Sequence, residues 1–178
     1  MLLLFYSAAA AYVYKRQAIT NIVINADADS LEGSQAAISH TQGQTYALRA
    51  LAHYDLMKGY GQHFITGQGG AASLGVPYVK TYKVPENLEP SRDTVGSNIG
   101  DIVADLTSGI VMMNQSFDSS SSYMTVAGAY AVLARATLYA GSLDPNFYST
   151  AGTAAKWVID NSGKALVSAA GFSASYKT

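Results

Sequence analysis

The stretch "GQHFITGQGGAASLGVPYV", residues 61–79, decides between two folds. It holds a G-x-G-x-x-A string at Gly67, Gly69 and Ala72, and Glu86 and Glu89 follow at roughly the distance from which an acidic side chain reaches a ribose. A dinucleotide turn here would make the chain an α/β enzyme using a nicotinamide cofactor. Such a turn must leave a buried strand and enter a helix, whose N-terminus receives the pyrophosphate. The surroundings do not supply that context. "HFIT" (63–66) is too short for a buried strand and follows the end of a helical pattern, and Gly75 and Pro77 stop any helix that begins at Ala71. No Gly-Lys-Ser/Thr follows, so the stretch is not a P-loop either. It reads as the start of an irregular excursion over residues 61–93, where Gly67, Gly69, Gly70 and Gly75 supply turns and Pro77, Pro85 and Pro90 forbid a continuing helix.

Outward from the excursion the pattern is helical on both sides. Over residues 35–59, Ala37, Ile38, Tyr46, Ala47, Ala50, Leu51, Tyr54 and Leu56 recur at three and four, with Gly59 and Gly61 as terminators. Earlier, Tyr12, Ile19, Asn21, Ile22 and Val23 share helical spacing within residues 2–26, and polar turn formers at 27–33 end that segment. On the other side, Val95, Ile99, Ile102, Val103, Leu106 and Ile110 form a stripe of 3.6 period, with Asp93 and Thr94 as candidate N-caps. "SFDSSSSY" (116–123) is a polar loop. Val126, Ala127, Tyr130, Leu133, Ala134, Thr137 and Leu138 predict a further helix ended by Gly141, and Ala151, Ala155, Val158 and Ile159 predict a last one over 148–160. The short connection between these two makes them antiparallel neighbours. Their small residues at the expected crossing resemble a tetratricopeptide hairpin, a unit that stacks because it cannot cover its own apolar face. The expected fold is all-α: right-handed stacking of antiparallel, tetratricopeptide-like hairpins, one domain over residues 1–178, with a long irregular loop between the second and third helices.

Composition narrows the function. At 178 residues and 49% hydrophobic the chain is long enough for a packed core. A net charge of -1 without Lys/Arg clusters excludes an electrostatic footprint for nucleic acid. The absence of Cys excludes disulfides, thiolate metal sites and a Cys nucleophile. The start, "MLLLFYSAAAAYVYKRQ", is apolar, but Lys15 and Arg16 follow the apolar run where a signal peptide carries its charge in front, so a buried helix is the expectation.

The remaining motifs favour structural readings. Asn25, Asp27 and Asp29 mimic the front of an EF-hand, yet Ser30 stands where that loop requires Gly and Ala36 where it requires Glu. His40, His53 and His63 lack the pairing that puts two imidazoles on one metal. No G-x-S-x-G elbow or paired carboxylate is visible, so no catalytic residue, metal or cofactor is assigned. Of the 13 Tyr, Tyr46, Tyr54 and Tyr130 lie on core stripes, whereas His63, Phe64, Tyr78 and Tyr82 sit in the excursion, where greater exposure is expected, with packing of the loop onto the helices favoured over ligand binding. Arg49 and Asp105 each put a charge on an otherwise apolar helix, and a buried charge must be paired or hydrogen-bonded. Each is expected to reach an opposite charge or a backbone group as a structural anchor.

"YALRALAHYDLMKGYG" (46–61) closely resembles the F-L-R-A-L-x-Y-F helix of the SusD/RagB family of outer-membrane nutrient-binding lipoproteins. In the same order, "LGVPYV" (74–79), "SRDTVGSNIGDIVADL" (91–106) and "AGAYAVLARATLYAG" (127–141) are similar to that family's later segments, and "ITNIVINAD" (19–27) to an earlier one. The resemblance implies a lipid-anchored protein at the cell surface that is not an enzyme. It implies capture of an oligosaccharide, or of a peptide, and its delivery to a TonB-dependent transporter. Family members are two to three times longer and carry a lipidated Cys that this chain lacks, so a partial chain is the expectation, and no ligand-binding residue can be transferred. The alternative is a free-standing tetratricopeptide-like scaffold for protein partners.

Overall fold

The computed structural model describes residues 15, 17–62, 69–82, 90–120, 122–165, 167–169 and 171–172. The apolar start at 2–13, His63, Phe64, Gly67, Pro85, Glu86 and Glu89 lie outside them. Among the described residues five α-helices follow one another: α1 (residues 17–24), α2 (Gln35–Tyr60), α3 (Val95–Met112), α4 (Val126–Ala140) and α5 (Phe147–Asn161). No strand forms among the described residues, and a lone antiparallel bridge joins Leu74 to Thr94. The expected all-α architecture stands, with helix ends within a residue or two of the periodicity for α2 to α5.

Local chemistry starts and stops these helices. Thr94 caps α3 by accepting from the Ser97 N–H at 3.1 Å, and Thr125 caps α4 through the Gly128 N–H at 3.0 Å. Of the two N-cap candidates at α3, Asp93 is released for another task, accepting from the Tyr78 N–H at 2.9 Å. Gly33, at φ +132°, turns the chain between α1 and α2 in a backbone region that side chains avoid. The supposed EF-hand front is this turn: the Asp27 carboxylate accepts from the Asp29 N–H, and Asn25 donates to the Asn21 and Lys80 carbonyls.

Pairings along the helices give their directions. Ser39 donates to the Met112 carbonyl, Gly43 faces Gly109 and Arg49 meets Asp105, so numbers rise on α2 as they fall on α3 and the two are antiparallel. The Tyr148 ring packs over Gly141 and Tyr130 stacks on Trp157 at 4.0 Å, which makes α4 and α5 antiparallel as well. Gln44 donates to the Met124 carbonyl and Tyr54 approaches that of Arg135, so α2 and α4 run parallel. The core between the two hairpins holds Ala47, Ala50, Met57, Ile102, Leu106, Ala129 and Ala136. Its many alanines let helices approach closely, and Gly43 and Gly109 mark the tightest point, where an added Cβ on either would stand 2.6 Å from the other's carbonyl oxygen.

The first helix inverts its expected face. Ile19 and Ile22 are exposed, at 64% and 49%, whereas Gln17, Thr20 and Asn21 are buried. Periodicity located the helix, but the surface it covers is polar, for reasons given by the site below.

Gly109→Ala is expected to destabilise the fold by about 1–3 kcal/mol, because the new methyl meets backbone that cannot yield. Gly100→Ala, on the same helix with nothing near its Cβ position, is expected to stabilise by about 0.5–1 kcal/mol. Urea denaturation of the two variants beside the parent checks both signs.

Candidate functional site

Among the described residues two charges lie inside the protein. Arg49 on α2 and Asp105 on α3 are 3% and 5% exposed, and water cannot solvate either. They meet in a two-pronged contact, Arg49 Nε to Asp105 Oδ2 and Nη2 to Oδ1, both at 2.7 Å. The planar fork matches the carboxylate, so the pair gains two charge-assisted bonds for one fixed orientation. Arg49 Nη1 donates to Asn21 Oδ1 of α1 at 2.9 Å, and the Tyr78 hydroxyl donates to Asp105 Oδ2 at 2.6 Å. The expectation that both charges act as anchors is met, and each is the other's partner.

The network extends through His53. Its Nδ1–H donates to the Arg49 carbonyl at 2.8 Å, which leaves Nε2 to accept from Gln17 Nε2 at 2.6 Å. Its ring stacks on Tyr78 with centroids 3.8 Å apart. Burial lowers the His53 pKa from 6.5 to about 4, helped by the Arg49 charge, so the ring is neutral near pH 7. Burial also pushes the Tyr78 hydroxyl upward, as does Asp105 beside it, and the proton stays on oxygen for the bond to Asp105. For Arg49, burial acts downward, but hydrogen bonding to Asp105 and its charge outweigh it and the net shift is upward.

This cluster ties down the excursion. Asn21 Nδ2 donates to the Val79 and Thr81 carbonyls, and the Asn98 side chain bonds both the N–H and the carbonyl of Val76, at 2.7 and 2.9 Å. The Asn98 oxygen occupies the space that a Cβ on residue 75 would need, so Gly75 is required there for contact and not for turning. Arg92 donates to the Gly75, Leu74 and Tyr60 carbonyls, lashing the loop to the C-terminal end of α2. Beside these anchors a cleft of about 460 Å³ opens, lined by Leu56, Tyr60, Val76, Pro77, Pro90 and Arg92 among others.

Sequence-based expectations sort against this geometry. Tyr78, in the excursion where greater exposure was expected, is 9% exposed and packed back onto the helices through Asp105, while Tyr82, at 41%, is exposed. Tyr54 is buried as a core residue, and Tyr130 is half-buried on Trp157. Gly69 and Ala72 lie in and beside a 3-10 turn (Gly70–Ala72), with Gly69 at φ +112°, and no strand precedes them among the described residues. The nucleotide reading fails on that local structure. No group of three or more His, Cys, Asp or Glu is placed to hold a metal among the described residues. Reading by residue type overlooked Gln17, Asn21 and His53 as one network and Asn98 as an anchor of the loop at Val76. The available signal was the run of polar residues on helix faces that must be buried.

The profile of the SusD-like family, described as starch-binding associating with the outer membrane, matches residues 6–138. The chain belongs to the SusD-like family. No curated protein matches it. Among solved structures, it is similar to a putative sugar binding protein from Bacteroides vulgatus, with 25% identity and a TM-score of 0.78 over 97% of this chain and 37% of that one. A SusD-like carbohydrate binding protein from the same species shares the fold at 17% identity, TM-score 0.75, over 89% of this chain and 32% of that one. A structure solved with xylogluco-oligosaccharide does so at 21% identity, TM-score 0.67, over 90% and 30%. The SusD-like chain thus spans about a third of the length of these relatives. Among its described residues no helix is long and apolar enough to cross a membrane.

Asp105→Asn keeps the shape of the network and removes the charge opposite Arg49, and is expected to cost about 3–5 kcal/mol in urea denaturation, as for a buried pair that loses one partner. Stability is also expected to depend on His53. Between pH 6.5 and about 4 the unfolded chain binds a proton that the folded ring refuses, so its contribution is full above 6.5 and is lost as pH falls through that window. The loss amounts to roughly 3 kcal/mol. Denaturation midpoints from pH 7 to 4 should fall less steeply in His53→Gln than in the parent.

Proposed function

We infer that the chain is the helical-repeat part of a lipid-anchored protein at the cell surface, which captures nutrients, oligosaccharides foremost, and passes them to a TonB-dependent transporter. The observation that carries this reading is the family match over residues 6–138, on a fold shared with a putative sugar binding protein. The bound xylogluco-oligosaccharide of another relative supports a glycan as the ligand. The Arg49–Asp105 network supports capture over conversion: its perturbed groups, His53 and Tyr78, are buried and spend their polar atoms on one another and on backbone, which is the behaviour of anchors. What they hold in place is the loop 75–82 beside an open cleft, and a pre-positioned loop binds at lower entropic cost than one ordered by its ligand. The helical faces dock the transporter, and the excursion contributes to the glycan surface.

Isothermal titration with xylogluco- and malto-oligosaccharides is expected to give binding without turnover of the glycan, and a membrane extract is expected to yield a TonB-dependent transporter on the tagged chain. Recovery of a cytoplasmic peptide partner and no glycan would point to the scaffold reading instead.

A further inference from the structure

Residues 75–78 of the excursion run without helix or strand, so their backbone polar groups must find partners elsewhere. They find them at the start of α3. The Gly75 N–H donates to the Asp93 carbonyl at 2.7 Å, the Gly75 carbonyl accepts from Arg92 Nε at 2.7 Å, and the Tyr78 N–H donates to the Asp93 carboxylate. Between these contacts Asn98 takes both groups of Val76, accepting from its N–H through Oδ1 and donating to its carbonyl through Nδ2. The side-chain amide stands in for a neighbouring peptide group. It projects from the first turn of α3, so a capped helix holds it in place.

Val76 also forms, with Pro77, one wall of the cleft whose lining includes Leu56, Tyr60 and Pro90. Asn98 is not part of that lining and is 0% exposed, so nothing bound in the cleft touches it. Arg92 both anchors the loop and lines the cleft, and its loss would remove contact and position together. At Asn98 the two are separate. The clamp needs Gly75 as well, because a Cβ there would collide with the Asn98 oxygen; φ at residue 75 is not positive, so alanine suits the backbone and fails only on space.

We propose that Asn98 is a positioning residue for glycan capture: it holds the Val76–Pro77 wall in its binding shape and thereby sets the affinity of a surface it does not touch. It rests on the glycan-capture reading and adds to it a control point behind the cleft. Without the clamp a ligand must order the loop as it binds, and each backbone residue ordered at that moment weakens affinity by about tenfold.

The test combines calorimetry, with xylogluco- and malto-oligosaccharides, and amide exchange by NMR on the full chain. Asn98→Ala is expected to speed exchange at Val76 and Tyr78 and to weaken binding about tenfold, the loss appearing in the entropy. Gly75→Ala, which breaks the same clamp from the loop side, is expected to do the same, and it decides if Asn98→Ala does not fold. The double variant is expected to lose less than the two single losses combined, because the new methyl enters the space that Asn98 vacates. Gly109→Ala, which strains the fold away from the loop, is expected to bind as the parent does. Unchanged exchange at Val76 and Tyr78 overturns the proposal, as do faster exchange with parental affinity and an affinity loss that Gly109→Ala shares; each of these leaves glycan capture intact. A parent chain that binds no oligosaccharide removes the capture reading and the proposal with it.

Discussion

The structure depends on one buried ion pair. Arg49 and Asp105 come from helices on either side of the excursion, and neither is tolerable inside the protein without the other. Once paired, they dictate their surroundings. The remaining guanidinium nitrogen needs an acceptor, which Asn21 provides, and the carboxylate takes a further donor, which Tyr78 provides. Four segments distant in sequence, α1, α2, α3 and the loop at 78–81, are thereby bound to one point. This explains why α1 buries Gln17, Thr20 and Asn21 and exposes Ile19 and Ile22: the surface it covers is polar, so matching it outweighs burying two isoleucines.

The pair forms because the helices can approach. Gly43 and Gly109 let α2 and α3 cross with their backbones nearly touching, and the antiparallel register set there brings residue 49 opposite residue 105. The α4–α5 hairpin uses the same device, with Gly141 beneath the Tyr148 ring and alanines between the helices. Such close crossings are rigid, since a shift of either helix would bring backbone into contact. A rigid scaffold and a loop pinned by Asn98, Asn21 and Arg92 together make a surface shaped before any ligand arrives.

The two ends of the α2–α3 hairpin treat polar atoms differently. Around Arg49 no buried side-chain nitrogen or oxygen of the described residues is left without a partner, and the network is closed. Around His40 the backbone N–H of Asn114 and of Val126 fix the imidazole and the carboxylate of Asp118, yet one atom of each stays unmatched. The first arrangement holds the fold, and the second leaves two buried polar atoms unmatched, although both use a helix imidazole near an aspartate.

Helix positions were legible in the sequence because periodicity, caps and breakers are local: Thr94, Gly33 and Gly141 act within a turn of where they stand. The rejection of a nucleotide turn at Gly69 to Ala72 was local for the same reason, since it rested on what precedes and follows the string. The need of Arg49 and Asp105 for partners was legible too, from charge on an apolar stripe, but the partners were not. Positions 49 and 105 are 56 residues apart and are brought together by the crossing of α2 and α3, and 21 and 79, 58 apart, by the return of the excursion onto α1. Tyr78 shows the limit most plainly: an aromatic residue in a glycine- and proline-rich loop looks exposed until the loop is seen folded back onto a buried carboxylate. The sequence alone determined the helices and that Arg49 and Asp105 needed burial partners. Tertiary structure decided who met whom, because hydrogen bonds of a few ångströms depend on packing that no local pattern encodes.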